Sequence, residues 1–81
     1  MQVEPHDLDH EFPEFVSLIH ELKENDESLA HLFNEYERVN AQIVDIEENE
    51  KPCEYQEFEI MKKQRLRLKD QIYMALRSRI H

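Results

Sequence analysis

The sequence predicts an all-α protein, a short N-terminal helix followed by a long antiparallel helical hairpin of coiled-coil type. Three observations carry this expectation. Glycine is absent, only three prolines occur and 36% of the residues are charged, which removes most of the turn chemistry that sheets need. Leu29, Leu32, Tyr36, Val39, Ile43 and Ile46 alternate steps of three and four, the 3.5-residue period of a coiled-coil seam. The stretch "ENEKPCE", Glu48 to Glu54, then interrupts the seam with Asn49 and Pro52 before a second apolar seam begins.

Residues 1–11, "MQVEPHDLDHE", show no sustained period and are expected to form a flexible acidic arm. Residues 12–81 are expected to form a single helical-hairpin domain with helices at about 13–24, 27–48 and 54–79. In the first helix Phe12, Phe15, Ile19 and Leu22 share one face, with Leu18 beside them. Pro13 followed by Glu14 suits a first helical turn, where proline loses no needed donor and a carboxylate meets the positive helix end. At Asn25 and Asp26 two residues that compete for backbone hydrogen bonds stand together, so the helix ends or bends there, with Asp26 as a candidate N-cap for the next.

The second helix carries the seam named above. A short connection after it makes the third helix its antiparallel neighbour. In that third helix Phe58, Met61, Leu68, Ile72 and Ala75 continue the seam, and the stem of Arg65 spans one seam position with its charge turned outward. With the turn centred near residues 50 and 51, facing positions sum to about 101: Ile43 with Phe58, Val39 with Lys62, Tyr36 with Arg65, Leu29 with Ile72. That register puts Glu35, Glu37 and Asp45 within reach of the basic run on the returning helix, and Glu59 precedes Lys63 by four, a favourable same-helix pair.

Charge divides the chain unevenly. Residues 1–59 hold 18 acids against Lys23, Arg38 and Lys51, a balance of -15, while residues 60–81 hold 7 bases against Asp70, a balance of +6, which together give -9. The run "MKKQRLRLKD" therefore has two readings. Lys62, Lys63, Arg65, Arg67 and Lys69 are the residues a small nucleic-acid-binding protein would use. Against that, Leu66 and Leu68 interrupt the charges, Lys63 lies far round the helix from Arg65 and Lys69, and neither a glycine-rich loop nor an aromatic ladder accompanies them. A strongly acidic segment folded beside the run would also repel a polyanion, so a solvated flank that matches the acidic helix is the preferred reading.

A second row on the last helix points to protein partners. Leu66, Tyr73 and Ile80 recur every seven residues, some 100–120° round from the Leu68 and Ile72 seam on a helix of about 3.6 residues per turn, with Leu76 between them. One neighbouring helix does not cover so broad a face. The remainder of this face is expected to meet the Phe12 to Leu22 helix, a second copy of the chain, or both, and the row with the Phe12, Phe15 and Ile19 face is the candidate surface for a second copy or a partner helix. An 81-residue chain with a lone Cys53 has no internal disulfide to staple it, which makes self-association a natural source of further stability.

Other chemistry finds little support. "HDLDH" sets His6 and His10 one helical turn apart with Asp7 and Asp9 nearby, a weak metal-ligand set on an arm, and no metal or cofactor is expected. His20 and His31 read as surface residues. Acids at positions 50 and 54 disfavour the Cys53 thiolate. A hairpin has no pocket to desolvate a carboxylate, so neither catalysis nor a small-molecule substrate is expected. No apolar run approaches the ~20 residues that span a bilayer, and the N-terminus lacks the layout of a secretory signal; a cytoplasmic location without membrane contact is expected.

The stretches "FPEFVSLIHELKEND", "LFNEYERVNAQIVDIE" and above all "MKKQRLRLKDQIYMAL" resemble the YdcH-like family of small bacterial helical-hairpin proteins, over about Phe12 to Leu76. The resemblance implies a short helix and a long antiparallel hairpin in the cytoplasm, and carries no catalytic or binding residues with it. The functional expectation is a non-catalytic protein–protein interaction or self-association module, with nucleic-acid binding through residues 62–69 as the alternative.

Overall fold

The computed structural model describes residues 6–80. Four α-helices follow one another, α1 (Leu8–Glu11), α2 (Val16–Asn25), α3 (Glu27–Glu48) and α4 (Tyr55–Ser78), with a 3-10 turn at Pro13–Phe15 between the first two. Among the described residues there is no strand, and the fold is all-α. α3 and α4 pair as a hairpin, α2 packs on α3, and the molecule extends 43 Å along its long axis.

Local chemistry sets the breaks. Asp26 adopts an extended backbone (φ -130°, ψ 103°) and its side chain accepts a hydrogen bond from the Leu29 amide at 3.0 Å, so the chain breaks fully between α2 and α3. Its other oxygen receives Arg79 from the far end of α4. The Leu29 amide, helped by Arg79, holds the Asp26 carboxyl below its ordinary value.

The far end of α3 closes without glycine. Glu50 takes the left-handed conformation (φ 49°), and the Lys51 amide donates back to the Ile46 carbonyl at 3.1 Å, the six-to-one bond of a Schellman ending. Asp45 gathers both Asn49 Nδ2 and Lys51 Nζ over this turn. Pro52 then biases Lys51 away from helical geometry and prevents α3 from continuing.

Two bonds cross the hairpin, Arg65 to Asn40 at 2.9 Å and Arg79 to Asp26. Each pair of numbers sums to 105, against the expected 101 or so. The difference has two sources. α3 runs to Glu48 and α4 starts only at Tyr55, which moves the centre of the turn past residue 51, and long helical side chains lean toward their own N-terminus, here toward the turn.

The core sits at the open end of the hairpin. Phe33 and Tyr36 of α3 and Ile72 and Leu76 of α4 are buried there with Ile19, Leu22 and Leu29, and Leu8, Phe12 and Phe15 complete the cluster. Nearer the turn Val39 and Ile43 are buried between α3 and α4. Residues 6–11, expected as part of a flexible arm, instead fold back on the hairpin: Leu8 is 2% exposed, and the buried Tyr36 hydroxyl donates to the His6 carbonyl. The rest of that arm, residues 1–5, lies outside the described residues. The reason is apolar area, because Phe33, Tyr36 and Leu76 present more than α2 alone covers.

Three outcomes follow from this packing. Phe33→Ala removes a fully buried ring from the centre of the cluster; it should cost about 3–5 kcal/mol and lower Tm by roughly 12–40 °C, read by circular dichroism melts. Glu50→Gly relieves the left-handed backbone and should stabilise by about 1 kcal/mol, seen as a higher urea midpoint at unchanged slope. Because the Asp26 carboxyl is depressed in the folded state, its contribution is complete above its unfolded value of 3.8 and is lost as pH falls through the folded value. The stability gap between wild type and Asp26→Asn should therefore be constant above about pH 5 and shrink below about pH 4, measured by urea unfolding across that range.

Candidate interaction surface

α4 is too long for the short N-terminal helices to cover. Its seam residues Ile72 and Leu76 are buried, yet Leu66 is 58% exposed, Tyr73 41% and Ile80 52%. Tyr55, eleven positions before Leu66 and so on the same face of an α-helix, is 78% exposed. The row is flanked by bases: Lys62 and Lys69 lie on its inner edge, and Arg77 sits over the Tyr73 ring at 5.7 Å while donating to its hydroxyl at 2.9 Å.

The other half of the anticipated docking face is not at the surface. Phe12, Phe15, Ile19 and Leu76 all belong to the internal cluster. The apolar face of α4 is broader than α3 alone covers, and of the two covers the sequence allows, the chain's own N-terminal helix or a second copy, the chain supplies the first by bending at Pro13 and packing Phe12, Phe15, Ile19 and Leu22 into the cluster with Ile72 and Leu76.

Where this fold-back crosses α4 it makes specific contacts. The Phe12 ring stacks on Tyr73, with centroids 6.3 Å apart and planes at 14°. Glu11 accepts Lys69 Nζ at 2.7 Å and also bonds the His6 imidazole. Burial pushes the Glu11 carboxyl up, but Lys69 and His6 together outweigh it and hold the group below its ordinary value. Beside these contacts lies a half-open cleft of about 140 Å³ lined by His6, Glu11, Tyr36, Lys62, Arg65 and Lys69. Burial, reinforced by Glu11 and partly opposed by Arg65, pushes the Tyr36 hydroxyl to about 12, so it stays a neutral donor committed to the His6 carbonyl.

The basic run is largely engaged within the chain. Lys62 pairs with Glu59 at 3.1 Å and lies over the Phe58 ring at 4.9 Å, Arg65 bonds Asn40, and Lys69 holds Glu11. Among the described residues Lys63 and Arg67 have no ion-pair partner. The acids expected opposite the run are used elsewhere: Glu35 pairs with Arg38 on its own helix, Glu37 with Lys23 of α2, and Asp45 with Lys51 in the turn. The expected Glu59–Lys63 pair is displaced by one residue to Lys62. All are side chains with solvent access, where the nearest partner wins over a more distant one across the hairpin.

The histidine cluster disperses as well. His6 turns to Glu11 and His10 to Asp7, while His20 approaches Asp9 at 3.7 Å. Among the described residues no three potential ligands gather around a common point, and no helix is long and apolar enough to cross a membrane.

Sequence reasoning missed Leu8, Glu11 and Tyr36 as parts of this surface. A signal existed: Leu8, Phe12, Phe15, Ile19 and Leu22 step by four, three, four and three, so the apolar row of α2 begins four residues before Phe12. Pro13 concealed it by breaking the helix that the row otherwise describes.

Comparison with known proteins adds one relationship. No curated protein and no solved structure matches the chain. A family described as "Protein of unknown function (DUF465)" matches residues 29–76, and the YdcH-like resemblance is consistent with it. That match takes in nearly all of α3, the turn and α4 as far as the last buried seam residue, more than half of the chain, and the chain accordingly belongs to this family of small helical proteins.

Proposed function

We propose that this chain is a non-catalytic, cytoplasmic interaction module that docks a helix, from a second copy or another protein, along the partly exposed row of α4. The observation that carries the reading is the row itself. A scattered surface leucine is ordinary, but Leu66, Tyr73 and Ile80 recur at intervals of seven and stay partly exposed on one face of α4, the spacing at which a second helix packs. The flanking bases supply partner choice more than affinity.

Nucleic-acid binding has less support. Three of the five bases that it needs already have partners in Glu59, Asn40 and Glu11, and a chain of net charge -9 opposes the approach of a polyanion. The non-catalytic reading draws support from the cleft beside Glu11, which is open, and from the Tyr36 hydroxyl, which is engaged by the His6 carbonyl.

Photo-crosslinking tests the interaction reading. Benzoyl-phenylalanine replacing Leu66 should give a discrete adduct in the native host, to a second copy or to one other protein, while the same group replacing the exposed His31 on α3 gives none. Indistinguishable adduct patterns from the two positions would remove the reading.

A further inference from the structure

The α4 row already holds one occupant. Residues 8–12, Leu-Asp-His-Glu-Phe, form a single helical turn with no side-chain cap, too short to persist by its own hydrogen bonds. Contacts with the hairpin keep it in place. Leu8 and Phe12 are 2% and 3% exposed, Phe12 stacks on Tyr73, and Glu11 holds Lys69. The turn covers only the middle of the row, since Leu66 on one side and Ile80 on the other stay open.

This seated segment displays the chemistry that the row accepts. Phe12 stacks on Tyr73 of α4, Leu8 four positions before it is buried in the adjoining cluster, and the carboxylate between them meets Lys69 at the edge. Resting on the reading of α4 as an interaction surface, we propose that the row receives an acidic amphipathic helix of a partner protein, with apolar residues at i and i+4 and a carboxylate at i+3, and that residues 8–12 are a tethered occupant which this helix displaces. A longer helix has the advantage of area. It covers Leu66 and Ile80 as well as Tyr73, whereas α1 is limited to four residues by Pro13. Its carboxylates meet Lys69, Lys62 and Arg77, so charge favours an acidic partner and rejects a basic one. Tethering gives residues 8–12 a high effective concentration, which sets the threshold that a partner in solution must exceed.

The test uses the full chain and a defined probe, a 21-residue synthetic helix repeating Leu-Ala-Gln-Glu-Phe-Ala-Glu, followed by ¹⁵N NMR. Binding should shift the amides of Leu66, Tyr73 and Ile80 and move those of Leu8 to Phe12 toward random-coil positions. Affinity should rise at least tenfold in Leu8→Ala/Phe12→Ala, where the tethered competitor is weakened, and fall at least tenfold in Lys69→Glu. Should the double variant fail to fold by circular dichroism, Glu11→Lys loosens the same segment without touching the core and should tighten binding several-fold. A probe with lysine for each glutamate should not bind. Equal affinity for wild type and the loosened variant, or binding that leaves Leu8 to Phe12 undisturbed, overturns the proposal. Failure of the acidic helix to bind while crosslinking at Leu66 persists would overturn this inference alone; loss of both would take the interaction reading with it.

Discussion

The structure depends on how the open end of the hairpin is sealed. Two antiparallel helices share one seam, and near the turn that is enough to bury Val39 and Ile43. At the other end Phe33, Tyr36 and Leu76 spread the apolar surface beyond a two-helix seam, and a chain this small has little other core to draw on. The N-terminal residues answer that surplus. Ile19 and Leu22 of α2, then Phe15, Phe12 and Leu8, enter the same cluster, and the Tyr36 hydroxyl, which would be costly to bury alone, is satisfied by the His6 carbonyl. Among the described residues no buried side-chain polar atom lacks a partner. The sealed end is thus both the stable part of the molecule and the reason that the N-terminal segment lies against α4.

Charge is organised locally, whereas a match between whole helices is what the composition suggests. The acidic and basic halves do not zip together along the hairpin. The bases that pair take an acid close at hand, on their own helix for Lys62 and Arg38 and from the folded-back segment for Lys69. Exposed pairs of this kind contribute about 0.2–1 kcal/mol each, too little to choose the fold, though enough to favour one seating of a short segment over another.

Much of this was legible from residue order. Leu29, Tyr36, Val39 and Ile43 of the seam, the stop at Asn49 and Pro52, and the capping role of Asp26 follow from periodicity and from side chains that compete with the backbone, which are local properties, whereas the fully buried Phe33 takes the place expected of Leu32. The exposed row of Leu66, Tyr73 and Ile80 was legible for the same reason. Phe12, Phe15, Ile19 and Leu76 are buried within the chain itself: amphipathic spacing reveals that a face will be covered and is silent about what covers it. The residue numbers of the cross-hairpin bonds sum to 105 where about 101 is expected, since α4 starts at Tyr55 and the long Arg65 side chain leans toward the turn.

By itself the sequence determined that this chain is helical, where its long helices begin and end, and that α4 carries more apolar surface than one neighbour removes from water. These are consequences of period, propensity and capping, each acting within a few residues. Only the tertiary structure decided that the N-terminal segment is an integral layer, that Glu11 and not α3 neutralises Lys69, and that Phe12 rests on Tyr73. Those contacts join residues some sixty positions apart. They are set by which surface is left uncovered after the hairpin closes, a quantity that exists only once the chain is folded.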